Sequence, residues 1–333
     1  MRIYSSAPTR IDLAGGTMDI WPLYLFHANA QTINVAITCR AECFLSSRTD
    51  GLLSVYAEDT NTTAEVHNAL ELNDHPKLKL LAKILDHFQA SGLTIKTRSG
   101  SPVGAGLAGS SALNIALCAA LSRWQHRELD PEQLMALALD LEAQVISAPT
   151  GMQDYRPATY GGIAAIELAP GRVKHVPLKV NVEELNKRLI LIYTGQSRNS
   201  GVNNWEVTKQ HIDGDRKTIE IFDQIRDVTA QIRHSLEKED WQTVASSINA
   251  EWQLRKTLAP GISNAHIDSL ISQGIDTGAL AAKICGAGGG GCIFFFTEPE
   301  QNEHVRKSLT ATGARVLDVQ VDTSGLCVNV EAE

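Results

Sequence analysis

The segment Pro102-Val103-Gly104-Ala105-Gly106-Leu107-Ala108-Gly109-Ser110-Ser111 places three glycines and two adjacent hydroxyls directly before an apolar, Ala- and Leu-rich stretch. Glycine lets the chain turn tightly and bring backbone N–H groups close to an anion. A glycine turn that opens a helix is a phosphate site, because unpaired N–H groups and the positive end of the helix dipole face the ligand. No Lys follows the last glycine, so this is not a Walker A loop. Two carboxylates also occupy positions suited to chemistry. Glu142 adjoins Leu141 and Val145 on the apolar stripe of a helix, where a solvated charge is out of place, although a charge at the helix edge is the simpler alternative. Asp154 follows Gly151-Met152-Gln153 in a loop and precedes Gly161-Gly162, a context for a fixed reactive side chain or for a turn cap.

Neighbouring elements must hold these groups. Residues 33–48 alternate as a strand, and Leu52 to Tyr56 and Leu93 to Thr97 read as shorter ones. A helix starts at Pro76, carries Leu78, Leu81, Leu85 and Phe88 on one face, and stops at Ser91-Gly92. After Ser111 a second helix stacks Leu113, Leu117 and Leu121. The third opens at Asp130-Pro131, with Gln133 placed for a capping box, a core stripe of Leu134, Leu137, Leu141 and Val145, and Pro149 at its end. Ile163 to Leu168 is a strand before a turn at Pro170-Gly171. Beyond about residue 186 come a buried strand (Leu189 to Tyr193) and two long amphipathic helices (215–236 and 240–257). Gly278 to Phe296 holds a glycine-rich loop and a strand, Glu298 to Ala311 a helix, and Arg315 to Glu331 two closing strands. Strands mixed with helices in both halves predict an α+β protein of two domains, 1–185 and 186–333.

Composition narrows the class. An apolar fraction of 43% and a charged fraction of 20% over 333 residues are ordinary for a soluble globular protein. The net charge of −8 and the lack of a Lys/Arg cluster argue against a nucleic-acid partner. Met1-Arg2-Ile3-Tyr4 runs straight into strand-like sequence, leaving no room for a signal peptide. No apolar run approaches the roughly 20 residues of a membrane helix. The six cysteines are scattered without a Cys-x-x-Cys pair and read as reduced, mostly buried thiols. The expectation is a cytoplasmic protein, monomer or homodimer, without a membrane or nucleic-acid partner.

Four segments, in order, resemble the motifs of the GHMP small-molecule kinases. They are Ala7-Pro8-Thr9-Arg10-Ile11-Asp12-Leu13-Ala14-Gly15-Gly16-Thr17-Met18-Asp19, the 102–112 loop, Gly151-Met152-Gln153-Asp154, and Lys283-Ile284-Cys285-Gly286-Ala287-Gly288-Gly289-Gly290-Gly291. The Arg10-to-Gly16 opening, Gly-x-Gln-Asp at 151–154, and Trp252-Gln253-Leu254 through Pro260-Gly261-Ile262-Ser263-Asn264 are similar to the D-glycero-D-manno-heptose 7-phosphate kinase branch. The chain departs from that branch at Thr17, at Trp21 and at Tyr155, all expected beside the sugar pocket.

The resemblance implies a two-domain GHMP kinase fold: an N-terminal domain like the second domain of ribosomal protein S5 and a ferredoxin-like C-terminal domain, with the active site between them. It implies ATP and Mg²⁺ as cofactors. Pro102, Gly104, Ala105, Gly106, Leu107, Gly109, Ser110 and Ser111 would form the ATP loop, and Ser111 and Glu142 would hold Mg²⁺. Asp154 would be the base that accepts the acceptor hydroxyl proton, with Arg10 keeping it ionised and stabilising the transferring phosphoryl group. Gly15, Gly16, Asp19, Arg198, Gly288 and Gly289 would surround a sugar or sugar-phosphate acceptor. Asp19 as a helix cap and Arg198, Lys209, Arg255 and Lys256 as solvated charges are the competing readings. The implied reaction is phosphorylation of an anomeric hydroxyl, with D-glycero-D-manno-heptose 7-phosphate as the first acceptor and other sugars (fucose, galactose or glucuronate type) or a non-catalytic ATP/sugar sensor as alternatives.

Overall fold

A computed structural model describes residues 1–197 and 201–331. In chain order the elements are β1 (Arg2–Ala14), β2 (Gln31–Ser47), β3 (Leu53–Ala57), β4 (Thr62–Val66), α1 (Lys79–His87), β5 (Leu93–Ser99), α2 (Gly109–Trp124), α3 (Pro131–Ile146), α4 (Tyr155–Tyr160), β6 (Ile163–Ala169), β7 (Arg172–Pro177), α5 (Val182–Arg188) and β8 (Leu189–Tyr193). Then follow α6 (Gly201–Ile212), α7 (Arg216–Glu237), α8 (Trp241–Arg255), α9 (Ala265–Asp276), β9 (Ala279–Ile284), β10 (Cys292–Thr297), α10 (Asn302–Ala311), β11 (Arg315–Leu317) and β12 (Cys327–Glu331).

Two sheets organise the chain. The larger runs β12-β1-β2-β5-β3-β4, with β6 also on β2 and β7 on β6. All of its pairings are antiparallel except β3 with β5. The smaller, antiparallel, runs β11-β8-β10-β9, the βαββαβ order of a ferredoxin-like unit. The two closing strands thus part company: β11 joins the smaller sheet and β12 returns to pair with β1.

Strand β1, between β12 and β2, has α2 on one side and α7 and α8 against it as well. Its inner half is buried throughout, yet it carries Arg10 and Asp12. Buried charge of this kind is kept only when paired, so β1 marks the site before any pocket is considered. Helix α2 is buried nearly all round, as its Ala- and Leu-rich sequence requires.

On α3 the Asp130 carboxylate accepts from the backbone N–H groups of Glu132 and Gln133, so the cap forms through the main chain. The buried stripe is Leu134, Met135, Ala138, Leu141 and Glu142; the expected Leu137 and Val145 are only half-buried. That rotation puts Glu142 inside the stripe rather than beside it. Lys283 and Ile284 end strand β9, just ahead of the glycine run. Five of the six cysteines are buried, and burial pushes the Cys43 thiol up to about 12.

Candidate active site

The glycine segment is a loop wedged between β1 and the turn that joins β9 to β10. Gly104 and Gly106 adopt φ of +70° and +75°, and Ala108 also takes a left-handed conformation before α2 begins. The main chain is fixed from both sides: Arg10 N–H donates to the Leu107 carbonyl at 3.0 Å and Cys292 N–H to the Ala105 carbonyl at 2.7 Å. A Cβ on Gly106 would lie 2.4 Å from the Cys285 carbonyl oxygen, so no other residue fits. No side chain caps α2, which leaves its first N–H groups for a ligand.

Glu142 comes from the opposite wall. The Ser110 hydroxyl donates to its Oε1 at 2.6 Å, and Ser111 and Tyr155 donate to its Oε2 at 2.8 and 2.7 Å. Burial raises the Glu142 pKa, and the three hydroxyl donors oppose that rise. Tyr155 is therefore behind the carboxylate, wholly buried, and not beside the acceptor pocket as its place in the sequence suggests.

Arg10 and Asp154 meet at the mouth of the loop. Arg10 donates to Asp154 Oδ1 from Nε (3.1 Å) and Nη2 (2.5 Å), and to the Gly106 carbonyl from Nη1 (2.7 Å). Asp154 is the first residue of the turn into α4 but makes no capping bond to it. Its carboxylate is committed to Arg10, which disposes of the turn-cap alternative. Burial alone would weaken the Arg10 charge; the Asp154 and Asp12 carboxylates outweigh it and raise the pKa.

Asp19 closes the other side. Its Oδ2 accepts from Gln153 N–H at 2.8 Å, whereas Oδ1 is buried without a partner among the described residues. Burial, reinforced by Asp154, pushes its pKa up to about 7 against the Gln153 bond and Arg10. A Cβ on Gly151 would fall 2.0 Å from Asp19 Oδ2, which explains the glycine there. Asp19 is not a helix cap, because the short turn at Leu23–Leu25 has no side-chain cap.

Behind these groups lies a buried charge network. Lys283 Nζ donates to the Asp12 carbonyl and to Asp12 Oδ2, each at 3.0 Å, and lies 3.5 Å from Glu251 Oε2. Gly286 N–H donates to Asp12 Oδ1 at 2.7 Å. Arg255 donates to Glu251 Oε1 from Nε (2.9 Å) and Nη2 (2.5 Å), and Nη2 also reaches the Gly16 carbonyl at 2.9 Å. Arg255 is thus no solvated helix charge. Its only sequence signal was a place one turn after Glu251 at i+4 spacing.

One cavity of about 970 Å³ takes in Arg10, Asp19, Glu142, Asp154 and the loop from Pro102 to Ser111, except Leu107. The Leu107 side chain is buried in the core and its carbonyl is taken by Arg10. Gly288 lines the cavity; Gly289 does not, since its N–H and carbonyl are bound to Ile262 and to the Asn264 amide. Gly15 and Gly16 lie behind the wall, holding the turn that carries Thr17 and Asp19. Arg198 lies outside the described residues. Among the described residues no cluster of three or more His, Cys, Asp or Glu is placed to hold a metal, and no helix is long and apolar enough to cross a membrane.

Two family models match this chain: the GHMP kinases N terminal domain over residues 77–162 and the GHMP kinases C terminal domain over 232–315, together just over half its length. The D-glycero-alpha-D-manno-heptose 7-phosphate kinase of Campylobacter jejuni is 28% identical over 97% of this chain and 98% of its own length. The bifunctional fucokinase/GDP-fucose pyrophosphorylase of Arabidopsis thaliana is 26% identical over 96% of this chain, which spans 32% of that protein. A crystal structure of a D-glycero-D-manno-heptose 1-phosphate kinase from Bacteriodes thetaiotaomicron superposes with a TM-score of 0.82 at 22% identity, covering 99% of this chain and all of that one. The chain belongs to the GHMP kinase family and is an ATP-dependent phosphotransferase with a hydroxyl group as its acceptor.

Proposed function

We propose that the protein is a sugar kinase that phosphorylates an anomeric hydroxyl, with a heptose 7-phosphate as the acceptor of choice. The observation that carries this is the convergence of Asp154, held by Arg10, with a buried Asp19 oxygen that has no partner among the described residues, beside one glycine phosphate loop. The loop N–H groups and the α2 N-terminus bind the ATP phosphates. Asp154 orients the acceptor hydroxyl and takes its proton, and Arg10 stabilises charge on the phosphoryl group in transit. Asp19 accepts hydrogen bonds from acceptor hydroxyls and so fixes which one faces Asp154. The whole-length likeness to a heptose 7-phosphate kinase supports the sugar assignment, and the likeness to a fucokinase supports the alternative of a different sugar at the same position.

The Ser110, Ser111 and Glu142 oxygens suit Mg²⁺, a hard cation that needs few protein oxygens and keeps water and phosphate oxygens as its other ligands. When bound there Mg²⁺ would neutralise charge on the phosphates. Ser111→Ala is expected to raise the Mg²⁺ concentration needed for half-maximal rate on the order of tenfold; an unchanged requirement contradicts this assignment. The function as a whole is tested by sugar-dependent ADP release across a panel of heptose phosphates, fucose, galactose, mannose and glucuronate. Release dependent on one sugar is expected. No stimulation by any sugar, with ATP bound, contradicts it and favours a sensor.

Asp19 also predicts a trade between stability and binding. Because its folded pKa is raised to about 7, its contribution to stability is fully present below pH 4 and is lost as the pH rises through 7. Asp19→Asn is therefore expected to stabilise the protein at pH 8 by on the order of 3 kcal/mol, to change little at pH 4, and to lose acceptor binding. Urea unfolding at the two pH values checks this; a less stable variant at pH 8 contradicts it.

A further inference from the structure

Thr17 is a β-branched residue at φ +70°, in the left-handed region where such side chains are outliers. A glycine would adopt this backbone without strain. The Thr17 side chain is almost fully buried, lines the cavity, and is engaged on both sides of its hydroxyl. Arg255 Nη1 donates to Thr17 Oγ1 at 3.4 Å, and Thr17 Oγ1 donates to Asn204 Oδ1 at 3.2 Å. Asn204 lies near the start of α6, and its carbonyl accepts from the Thr208 hydroxyl at 2.7 Å. The middle of α6 is held by buried Val207 and Thr208, and its far end by a 2.8 Å contact between His211 and His27. The Thr17–Asn204 bond therefore ties down the near end of α6, next to the acceptor turn. The next residue, Trp205, is 49% exposed and lines the same cavity as Asp19 and Asp154. A half-exposed indole in a cavity mouth offers an apolar face for a sugar ring and a donor for its hydroxyls.

Resting on the sugar-kinase reading above, we infer that Thr17 and Asn204 form a clasp that docks α6 against the acceptor turn, so that Trp205 becomes the wall that selects the acceptor. The strain at Thr17 is the cost of having a hydroxyl at that point. Thr17→Gly suits the backbone and leaves the fold intact, so it separates clasp from scaffold. It is expected to raise the acceptor KM about fivefold to tenfold, the size of one lost hydrogen bond, with the ATP KM nearly unchanged. Asn204→Ala should do the same, the double variant should add little to either single one, and Thr17→Ser should recover most of the loss. Hydrogen–deuterium exchange of the amides across 204–210 in the free protein should quicken in Thr17→Gly and Asn204→Ala and return toward wild type in Thr17→Ser. Wild-type acceptor KM in the first two variants overturns the inference, whatever the exchange shows. Should the wild-type protein use no sugar at all, the kinase reading fails on its own account. The exchange comparison then still decides the clasp, and unchanged protection overturns it.

Discussion

Replacing Asp154 by Asn is expected to lower turnover about 100-fold or more while leaving ATP affinity nearly unchanged, on the usual scale of general-base contributions. Asp154 Oδ1 takes two Arg10 nitrogens and its side chain does no work for α4, so an amide of the same shape removes charge and basicity without removing a cap. In the proposed reading ATP sits elsewhere, against the cavity-lining loop from Gly104 to Ser111 and the uncapped end of α2. Arg10 keeps a second anchor on the Gly106 carbonyl, so the loop holds its place in the variant. Single-turnover rates and ATP titration of the two proteins check this. Turnover within a few fold of wild type contradicts the role given to Asp154.

Lys283→Met is expected to destabilise the protein by about 3–5 kcal/mol, because it leaves charge buried without its partner. Lys283, Asp12 and Glu251 are all fully inaccessible to solvent. Among the described residues, removing the ammonium leaves Asp12 with the Gly286 N–H and distant guanidinium groups and Glu251 Oε2 without a partner. A loss of that size is a large share of the 5–15 kcal/mol by which domains are typically stable. Adding Asp12→Asn to Lys283→Met should restore part of the loss, since the stranded carboxylate is then neutral. Denaturant midpoints for the single and double variants check both steps; a loss under about 1 kcal/mol in the single variant contradicts the account.

Much of this was legible in the sequence, for physical reasons that differ from element to element. The glycine loop was readable because Gly104 and Gly106 need positive φ, and few other demands put three glycines ahead of two serines. Helix α3 announced itself through Asp130-Pro131, whose cap the structure contains. The short α4 did not: six residues carry too little periodicity to show. Strand β9 was hidden because its Lys283 is fully buried, which hydrophobic patterning cannot foresee. The return of β12 to β1 is a long-range pairing with no local trace.

At the site the pattern is similar. Residue types fixed by chemistry, such as Asp154 and Glu142, stood out because a carboxylate in a loop or an apolar stripe needs a reason. Partnerships did not stand out. Arg255 on Gly16 and Thr17 on Asn204 join residues far apart in the chain, Tyr155 on Glu142 joins two different helices, and nothing in the local spacing of either partner discloses the other. Gly289 and Leu107 share their segments with cavity-lining residues but turn away, because neighbouring backbone groups claim their hydrogen bonds.

The central claim is transfer of the ATP γ-phosphoryl group to an anomeric hydroxyl, and ³¹P NMR of the protein with Mg²⁺–ATP and D-glycero-D-manno-heptose 7-phosphate tests it most directly. A new phosphate resonance coupled to the anomeric proton is expected, appearing as ADP forms and absent with Asp154→Asn. A phosphate on any other hydroxyl, or ADP formation with no sugar phosphate from this or any other sugar offered, would contradict it.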